Sequence, residues 1–403
     1  MPKSKVSLNK ECVREYKDIL NKAKHYVNLP DELRRDIELE YLEREKDREL
    51  LNIPVPKPDE FSYKMIQYNG FIHYPERLKN FIIAKNELRK ITRSFFPVIL
   101  DIEPTSRCNF RCIMCQLNDW KNGKRADDLK FDDFKKIIDE QYGLTEIKLQ
   151  GMGEPLLNKE FFKMIEYVVK KYIWIRTTVN GSLLHINDNY KKLVDSGVNE
   201  IQISVDGATK KVFEKIRRNS NFDKVVENLK ILNNYSNSKN KLVTRMWVLL
   251  QEHNKHQVFE FLDLAKHMEF KRLTYSIGMS DFGQEKWNKN NKSLEIKEFL
   301  PKSDLSKLLE KAKNYGIEIT RWNLEQKYNN ETVNTKCPWP FNRAFISSDM
   351  KIVPCCMIGN PNVSNLGDAR KFESVWNGKI YQHFRKSHLE GKIPKICKNC
   401  YKI

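Results

Sequence analysis

Three cysteines, Cys108, Cys112 and Cys115, lie close together in the run EPTSRCNFRCIMCQ, spaced CxxxCxxC. Thiolates on one short loop are soft ligands that suit iron or zinc. Three of them can hold three irons of a four-iron four-sulfur cubane and leave the fourth iron open for chemistry. Structural zinc normally takes four ligands, and the next His along the chain is His185 and the next Cys is Cys337. A second group, Cys337, Cys355, Cys356, Cys397 and Cys400, gathers near the C-terminus and ends in a CxxC. Four of these five would complete one metal centre, either an iron-sulfur cluster or a four-cysteine zinc knot.

Other residues carry polar chemistry. Gly151, Gly153 and Glu154 stand in the run GMGEP; glycines admit close approach of backbone to a ligand, and a carboxylate beside them can accept hydrogen bonds from an ammonium group. In ISVDG, strand alternation points Ser204 and Asp206 to one side and Ile203 and Val205 to the other. Asp206 is equally suited to capping the helix that follows. Arg217, in TKKVFEKIRRNSNF, offers the planar fork that binds a carboxylate through two parallel hydrogen bonds. Asn180 and Gly181 form a common turn signal and are read as a turn.

The elements that must position these residues alternate regularly from Pro97 onward. Strands are expected at 98–103, 146–150, 174–179, 200–205, 242–250 and 272–277, with amphipathic helices at 131–140, 159–171, 188–195, 222–232 and 255–268. Repeated βα units imply parallel strands with right-handed crossovers. The fold class is therefore α/β, a partial (β/α)6 TIM-like barrel, with chemistry at the C-terminal ends of the strands. Each motif above falls at such an end. Residues 1–94 read as a helical extension, with apolar positions Leu8, Val13, Tyr16, Ile19 and Leu20, then Leu39, Tyr41 and Leu42, interrupted by prolines at 30, 54, 56 and 58. No strand-rich recognition module is legible there. Residues 95–302 form the expected core, ending in a polar linker at about 280–302, and 303–403 a small cysteine-rich domain.

The cluster spacing after a first strand, followed one strand later by GMGE, resembles the radical S-adenosylmethionine (SAM) family. That resemblance covers residues 95–403. It implies SAM and a [4Fe-4S] cluster held by Cys108, Cys112 and Cys115, with SAM's amino and carboxylate groups on the open iron. By the same resemblance the Gly151–Glu154 loop holds the amino group, Ser204 or Asp206 meets the ribose or carboxylate, and Arg217 anchors SAM. Met114 stands where the family usually has an aromatic residue beside the adenine, a space its flexible thioether can fill. The phrases CPWPF, MKIVPCC, LGDARKFESVWNG and ICKNC resemble the SPASM or twitch extension. This implies an auxiliary [4Fe-4S] cluster on Cys337, Cys355, Cys397 and Cys400, with Cys356 left over. A spare thiol could donate a hydrogen atom to a substrate radical, as in radical SAM epimerases; a buried, inert thiol is the plainer alternative.

The implied activity is reductive cleavage of SAM and hydrogen abstraction from an unactivated C–H bond, with electrons from a flavodoxin- or ferredoxin-type donor. The expected substrate is a small polar or anionic molecule, sugar-like or a nucleotide sugar, that is oxidised or epimerised. A peptide substrate is the alternative within enzymes. A zinc- or cluster-stabilised nucleic-acid-binding protein is the alternative of another class, and it predicts salt-sensitive binding to polyanions. The net charge of +19 does not decide among these, because the lysines are scattered rather than blocked together. No run approaches the roughly 18 to 20 apolar residues of a membrane span, and the first residues lack the apolar core of a signal peptide. A cytoplasmic location is expected, where nine cysteines serve as ligands or thiols rather than disulfides.

Overall fold

The computed structural model describes residues 8–30, 32–33, 53–296, 298–323 and 337–401. All six expected strands are present: β1 Ile99–Ile102, β2 Glu146–Leu149, β3 Trp174–Val179, β4 Glu200–Ser204, β5 Thr244–Leu249 and β6 Arg272–Ile277. They pair in parallel in chain order. Helices Phe131–Glu140, Phe161–Val169, Asn189–Asp195, Phe222–Ser238 and Val258–His267 lie between them. Two further parallel strands widen the sheet: β7 Glu318–Asn323 joins β6, and β8 Arg343–Ile346 joins the free side of β1. β9 Lys351–Val353 and β10 Gly367–Asp368 continue from β8 in antiparallel fashion. The order is β10-β9-β8-β1-β2-β3-β4-β5-β6-β7, an open sheet and so a partial barrel.

Alternation along the strands divides the barrel into two environments. Ile102, Leu149, Val179, Ile203, Val248 and Leu273 face outward and pack with Phe134, Met164, Leu229 and Phe261 from the covering helices. Each such buried aliphatic side chain contributes roughly 1.5–3 kcal/mol. The other parity faces the lumen and is polar: Lys148, Gln150, Arg176, Thr178, Gln202 and Ser204 are all half-buried. Parallel strands covered on both faces usually read as unbroken apolar runs. Here the inner face is polar, which gives several of the strands an apolar/polar alternation.

The N-terminal extension is helical over its described residues: α1 Lys10–Val27, α2 Glu60–His73 and α3 Pro75–Asn86. Asn9 and Asp59 cap α1 and α2 by accepting the Cys12 and Ser62 N–H groups, and Pro75 opens α3. Phe71, Leu78 and Ile82 form a small core against which Tyr16, Ile19 and Leu20 pack. Leu39, Tyr41 and Leu42 lie outside the described residues. This extension closes the barrel floor. Tyr63 packs on Trp174 with ring centroids 5.2 Å apart, and burial, with the nearby Glu146, pushes its hydroxyl up to about 12. The Lys57 carbonyl accepts from Arg245, and the Pro54 carbonyl accepts the Arg321 N–H at 2.8 Å. Beside this plug the ionic floor is paired: Arg176 with Glu146 at 2.7 Å, and Arg245 with Glu200 at 3.6 Å and Glu318 at 3.1 Å.

The segment 280–302 is more than the expected linker. It carries a helix, Glu285–Lys292, whose Trp287 and Asn291 are buried. Four residues apart, they share one face of the helix. Lys286, Lys289, Asn290 and Lys292 face solvent, and their polarity masked the helix in the sequence.

Tyr63→Ala is expected to destabilise the protein by about 1–3 kcal/mol in urea unfolding, less than the loss of a fully buried ring because Tyr63 is half-buried. A loss below roughly 0.5 kcal/mol, the range of ordinary surface substitutions, would show that the plug is not packed as described.

Candidate active site

The loop after β1 is held from several directions. The buried Glu103 carboxylate accepts the Met152 and Ser348 N–H groups, each at 3.0 Å, and pairs with Arg125 at 3.0 Å. Glycine is required at 153, because a Cβ there would lie 2.4 Å from the Thr105 carbonyl oxygen. The Glu154 N–H donates to the Arg107 carbonyl at 2.9 Å. Met152, the residue between the two glycines, reaches the C-terminal part of the chain: a Cβ on Gly359 would sit 2.7 Å from its Cε.

Cys112 pairs with Arg217 in a two-residue antiparallel ribbon, and the Cys115 N–H donates to the Cys112 carbonyl at 3.1 Å. Burial pushes the Cys108 and Cys115 thiols up to about 12, and each also feels Cys112. Cys112 is raised by burial as well, with Arg217 acting in the opposite direction. Three neighbouring thiols that resist ionisation alone are a donor set that a cationic metal centre would deprotonate and hold. Their soft sulfurs, brought together at the mouth of the lumen, fit an iron-sulfur cluster.

Around them, the Asp206 carboxylate meets Arg217 at 2.6 Å and accepts the Leu249 N–H at 2.8 Å. It does not cap the following helix, Lys210–Ile216, whose N-cap residue is Thr209. Asp206 therefore fixes Arg217, whose Nη1 lies 4.0 Å from the Cys112 sulfur. The Glu154 carboxylate accepts the Asn180 N–H at 2.7 Å and the Leu156 N–H at 3.3 Å, while burial raises it to about 7. The bond from Asn180 ties the glycine loop to the end of β3, and the bond from Leu156 caps the turn that follows Glu154. Ser204 is half-buried on the lumen face. The Met114 carbonyl accepts from Asn291 at 3.1 Å, which seats the helix Glu285–Lys292 over the cysteine loop.

Two residues of this site were not singled out by the sequence. Asn180, read as a turn, donates to Asn109 at 2.9 Å and lies 3.9 Å from the Cys108 sulfur. Its place at the C-terminal end of a barrel strand was the available signal. Gln116, next to Cys115, is fully buried; its amide donates to the Ile358 carbonyl at 2.8 Å and accepts from Gln284 at 3.0 Å and Asn360 at 3.2 Å. No local pattern marks such a residue.

The C-terminal cysteines surround a second place. Cys337, Cys355, Cys397 and Cys400 line a cavity of about 350 Å³, part of it open to solvent, together with Asp281, Met357, Ile358 and Ile396. Burial and the other three cysteines raise the Cys397 thiol. These four thiols likewise fit a cluster, with Cys355 supplied from the end of β9 and Cys397 and Cys400 from the short helix Lys395–Tyr401. Cys356 is not among the lining residues. Cys355 and Cys356 both pack against the small core of Phe345, Val353 and Ile358, and of the two Cys355 lines the cavity.

A partial barrel with a three-thiol loop at its mouth and a four-thiol cavity beside it defines an iron-sulfur protein of the radical type. Residues 102–265 match the family model of the radical SAM superfamily, and residues 337–401 match that of SPASM, an iron-sulfur cluster-binding domain. The chain thus carries a radical SAM domain and a SPASM domain. Its cofactors are SAM and iron-sulfur clusters. Among curated proteins it is similar to the mycofactocin maturase MftC of Mycolicibacterium smegmatis, 29% identical over 42% of this chain and 42% of the relative. It is also similar to a GTP 3',8-cyclase of Clostridium perfringens, 31% identical over 41% of this chain and 51% of the relative. The chain therefore spans about half or less of the length of these relatives. Among solved structures it resembles Streptococcus suis SuiB (TM-score 0.55, 16% identity, covering 87% of this chain and 78% of that one). It also resembles anSMEcpe with bound AdoMet (TM-score 0.52, 17% identity, covering 76% and 88%). These likenesses show the fold. No described helix is long and apolar enough to cross a membrane.

Asp206→Ala would leave Arg217 buried beside Cys112 without its carboxylate, at an expected cost of about 3–5 kcal/mol. Denaturant unfolding of the metal-loaded protein measures it, and an unchanged midpoint would contradict the pairing. Gly153→Ala should reduce SAM binding in equilibrium dialysis by at least about tenfold, the equivalent of roughly 1.4 kcal/mol; wild-type affinity would contradict the close packing of the loop.

Proposed function

We propose that this chain cleaves SAM reductively and removes a hydrogen atom from an unactivated C–H bond of a small polar substrate, which it oxidises or epimerises. The observation that carries this reading is the lumen: polar on its inner face, plugged at the floor around Tyr63, and opening where Cys108, Cys112 and Cys115 stand. A substrate held there lies below the radical source and away from bulk water. The bound cluster and SAM supply the electron transfer and the 5'-deoxyadenosyl radical, with reducing equivalents from a flavodoxin- or ferredoxin-type donor.

In this reading Cys108, Cys112 and Cys115 ligate the first cluster. The backbone of Gly151 to Glu154 receives the SAM amino group, and Arg217, oriented by Asp206, receives the carboxylate. Ser204 faces the ribose and Met114 the adenine. Cys337, Cys355, Cys397 and Cys400 hold the auxiliary cluster. Cys356, which is not among the residues lining the auxiliary cavity, gives its sulfur-bound hydrogen atom to a substrate carbon radical. A cluster held by Cys337, Cys355, Cys397 and Cys400 would supply the one electron that, with one proton, restores the Cys356 thiol, or would take up the electron lost where the substrate is oxidised instead.

A second reading is a peptide-modifying enzyme. It is supported by the maturase relative and by the likeness in fold to SuiB, which has been solved with its precursor peptide SuiA. On either reading, anaerobically reconstituted protein with dithionite should convert SAM to 5'-deoxyadenosine, and Cys112→Ala should form none. Failure of the wild type with its clusters shown intact would sink both readings.

Iron content tests the ligand assignment separately. About eight irons per chain are expected for the wild type and Cys356→Ala, and about four for Cys397→Ala. If Cys356→Ala lost iron and Cys355→Ala did not, the roles of these neighbours would be reversed.

A further inference from the structure

The lumen narrows the substrate class. Its acidic groups are withdrawn or paired: Asp101 is fully buried, and Glu146 and Glu200 are engaged by Arg176 and Arg245 at the floor. Lys148, the register neighbour of Asp101 on β1 and of Arg176 on β3, is half-buried and makes no ion pair among the described residues. Neither oxygen of Asp101 has a hydrogen-bond partner in the described structure; burial and the neighbouring Arg176 lower the Lys148 ammonium, with Asp101 acting in the opposite direction, so an anion brought to this wall would stabilise its charge. Gln150, Thr178 and Gln202 continue the same wall, with the Thr178 hydroxyl donating to Gln150 at 2.6 Å.

Further round the sheet the wall changes character. Trp247 on β5 and Trp322 on β7 both face the lumen, are half-buried, and approach each other with ring centroids 6.2 Å apart. Half-exposed indoles inside a barrel are a costly feature for a surface with no ligand, because their apolar faces stay in contact with water. One wall thus presents an unpaired cation among amides, and the other an aromatic platform.

We propose that the lumen binds a substrate carrying an anionic group, carboxylate or phosphate, on a ring: Lys148 takes the anion, and Trp247 with Trp322 takes the face of the ring. This rests on the small-substrate reading above and assigns the residues that would select within it. The binding logic is that polar groups on one wall set orientation while the aromatic wall supplies apolar contact.

Chemical protection tests it on the reconstituted wild-type holoenzyme. Lysines are dimethylated with formaldehyde and a borane reductant under anaerobic conditions, and the extent at Lys148 is read by peptide mass spectrometry. The probes are 4-hydroxybenzoate and glucose 6-phosphate, with glucose as the neutral control. The expected result is that at least one of the two anions slows modification of Lys148 fivefold or more, while glucose does not and surface lysines are unaffected. Which anion protects tells carboxylate from phosphate. In Trp247→Ala the protection should fall to less than half. Equal modification of Lys148 with and without both anions, or equal protection by glucose, would overturn the proposal. So would a Lys148 that remains unmodified in the free enzyme. Formation of 5'-deoxyadenosine by the same preparation reports on SAM cleavage independently, so a failure of that chemistry is not confused with a failure of this site.

Discussion

The constraint on which the structure depends is the placement of charge inside a parallel barrel. Ionised groups taken out of water are costly unless paired, and unpaired ones tend to neutralise. This chain meets the constraint at the floor with ion pairs among Glu146, Arg176, Glu200, Arg245 and Glu318, and with Tyr63 and the 53–59 segment closing that end. The outward faces remain aliphatic and hold the helices. What is left is a polar lumen with one open end. The cysteine loop stands at that end because β1 leads into it and the glycine loop after β2 packs on its backbone.

The same logic governs the two cysteine sites. Burial raises Cys108, Cys112 and Cys115 at the first site and Cys397 at the second, so these thiols stay protonated until a metal centre supplies positive charge. Asp206 and Arg217 form a buried pair whose guanidinium leans toward Cys112 and whose own charge is balanced. Gln116 then joins the two centres mechanically. It follows Cys115 in the chain and bonds to Ile358, whose N–H in turn donates to the Cys355 carbonyl at 3.2 Å. A shift of one cysteine loop is therefore felt at the other, through a fully buried amide that has little freedom to adapt.

Much of this was legible in the sequence, for physical reasons. The six barrel strands were visible because a polar inner face gives several of them an apolar/polar alternation, and the three-cysteine loop because ligand spacing is a local property. Strands β7 and β8 were not visible. Their pairing partners are distant in the chain, and nothing local shows that Arg343–Ile346 lies beside β1. The helix Glu285–Lys292 was hidden by its polarity, since only Trp287 and Asn291 turn inward. The function of Asp206 required the fold: a carboxylate at a strand end reads as a cap until Arg217 is seen 2.6 Å away. Lys148 and Asp101 likewise acquire meaning only when the register sets them side by side.

The most direct test of the account is the electron paramagnetic resonance spectrum of the reduced, reconstituted protein before and after SAM is added. The account predicts that SAM changes the signal of one [4Fe-4S] cluster. This change should survive in Cys397→Ala, which removes a ligand of the auxiliary centre, and be lost in Cys112→Ala. A spectrum indifferent to SAM, or a change that disappears with Cys397 and persists without Cys112, would contradict it.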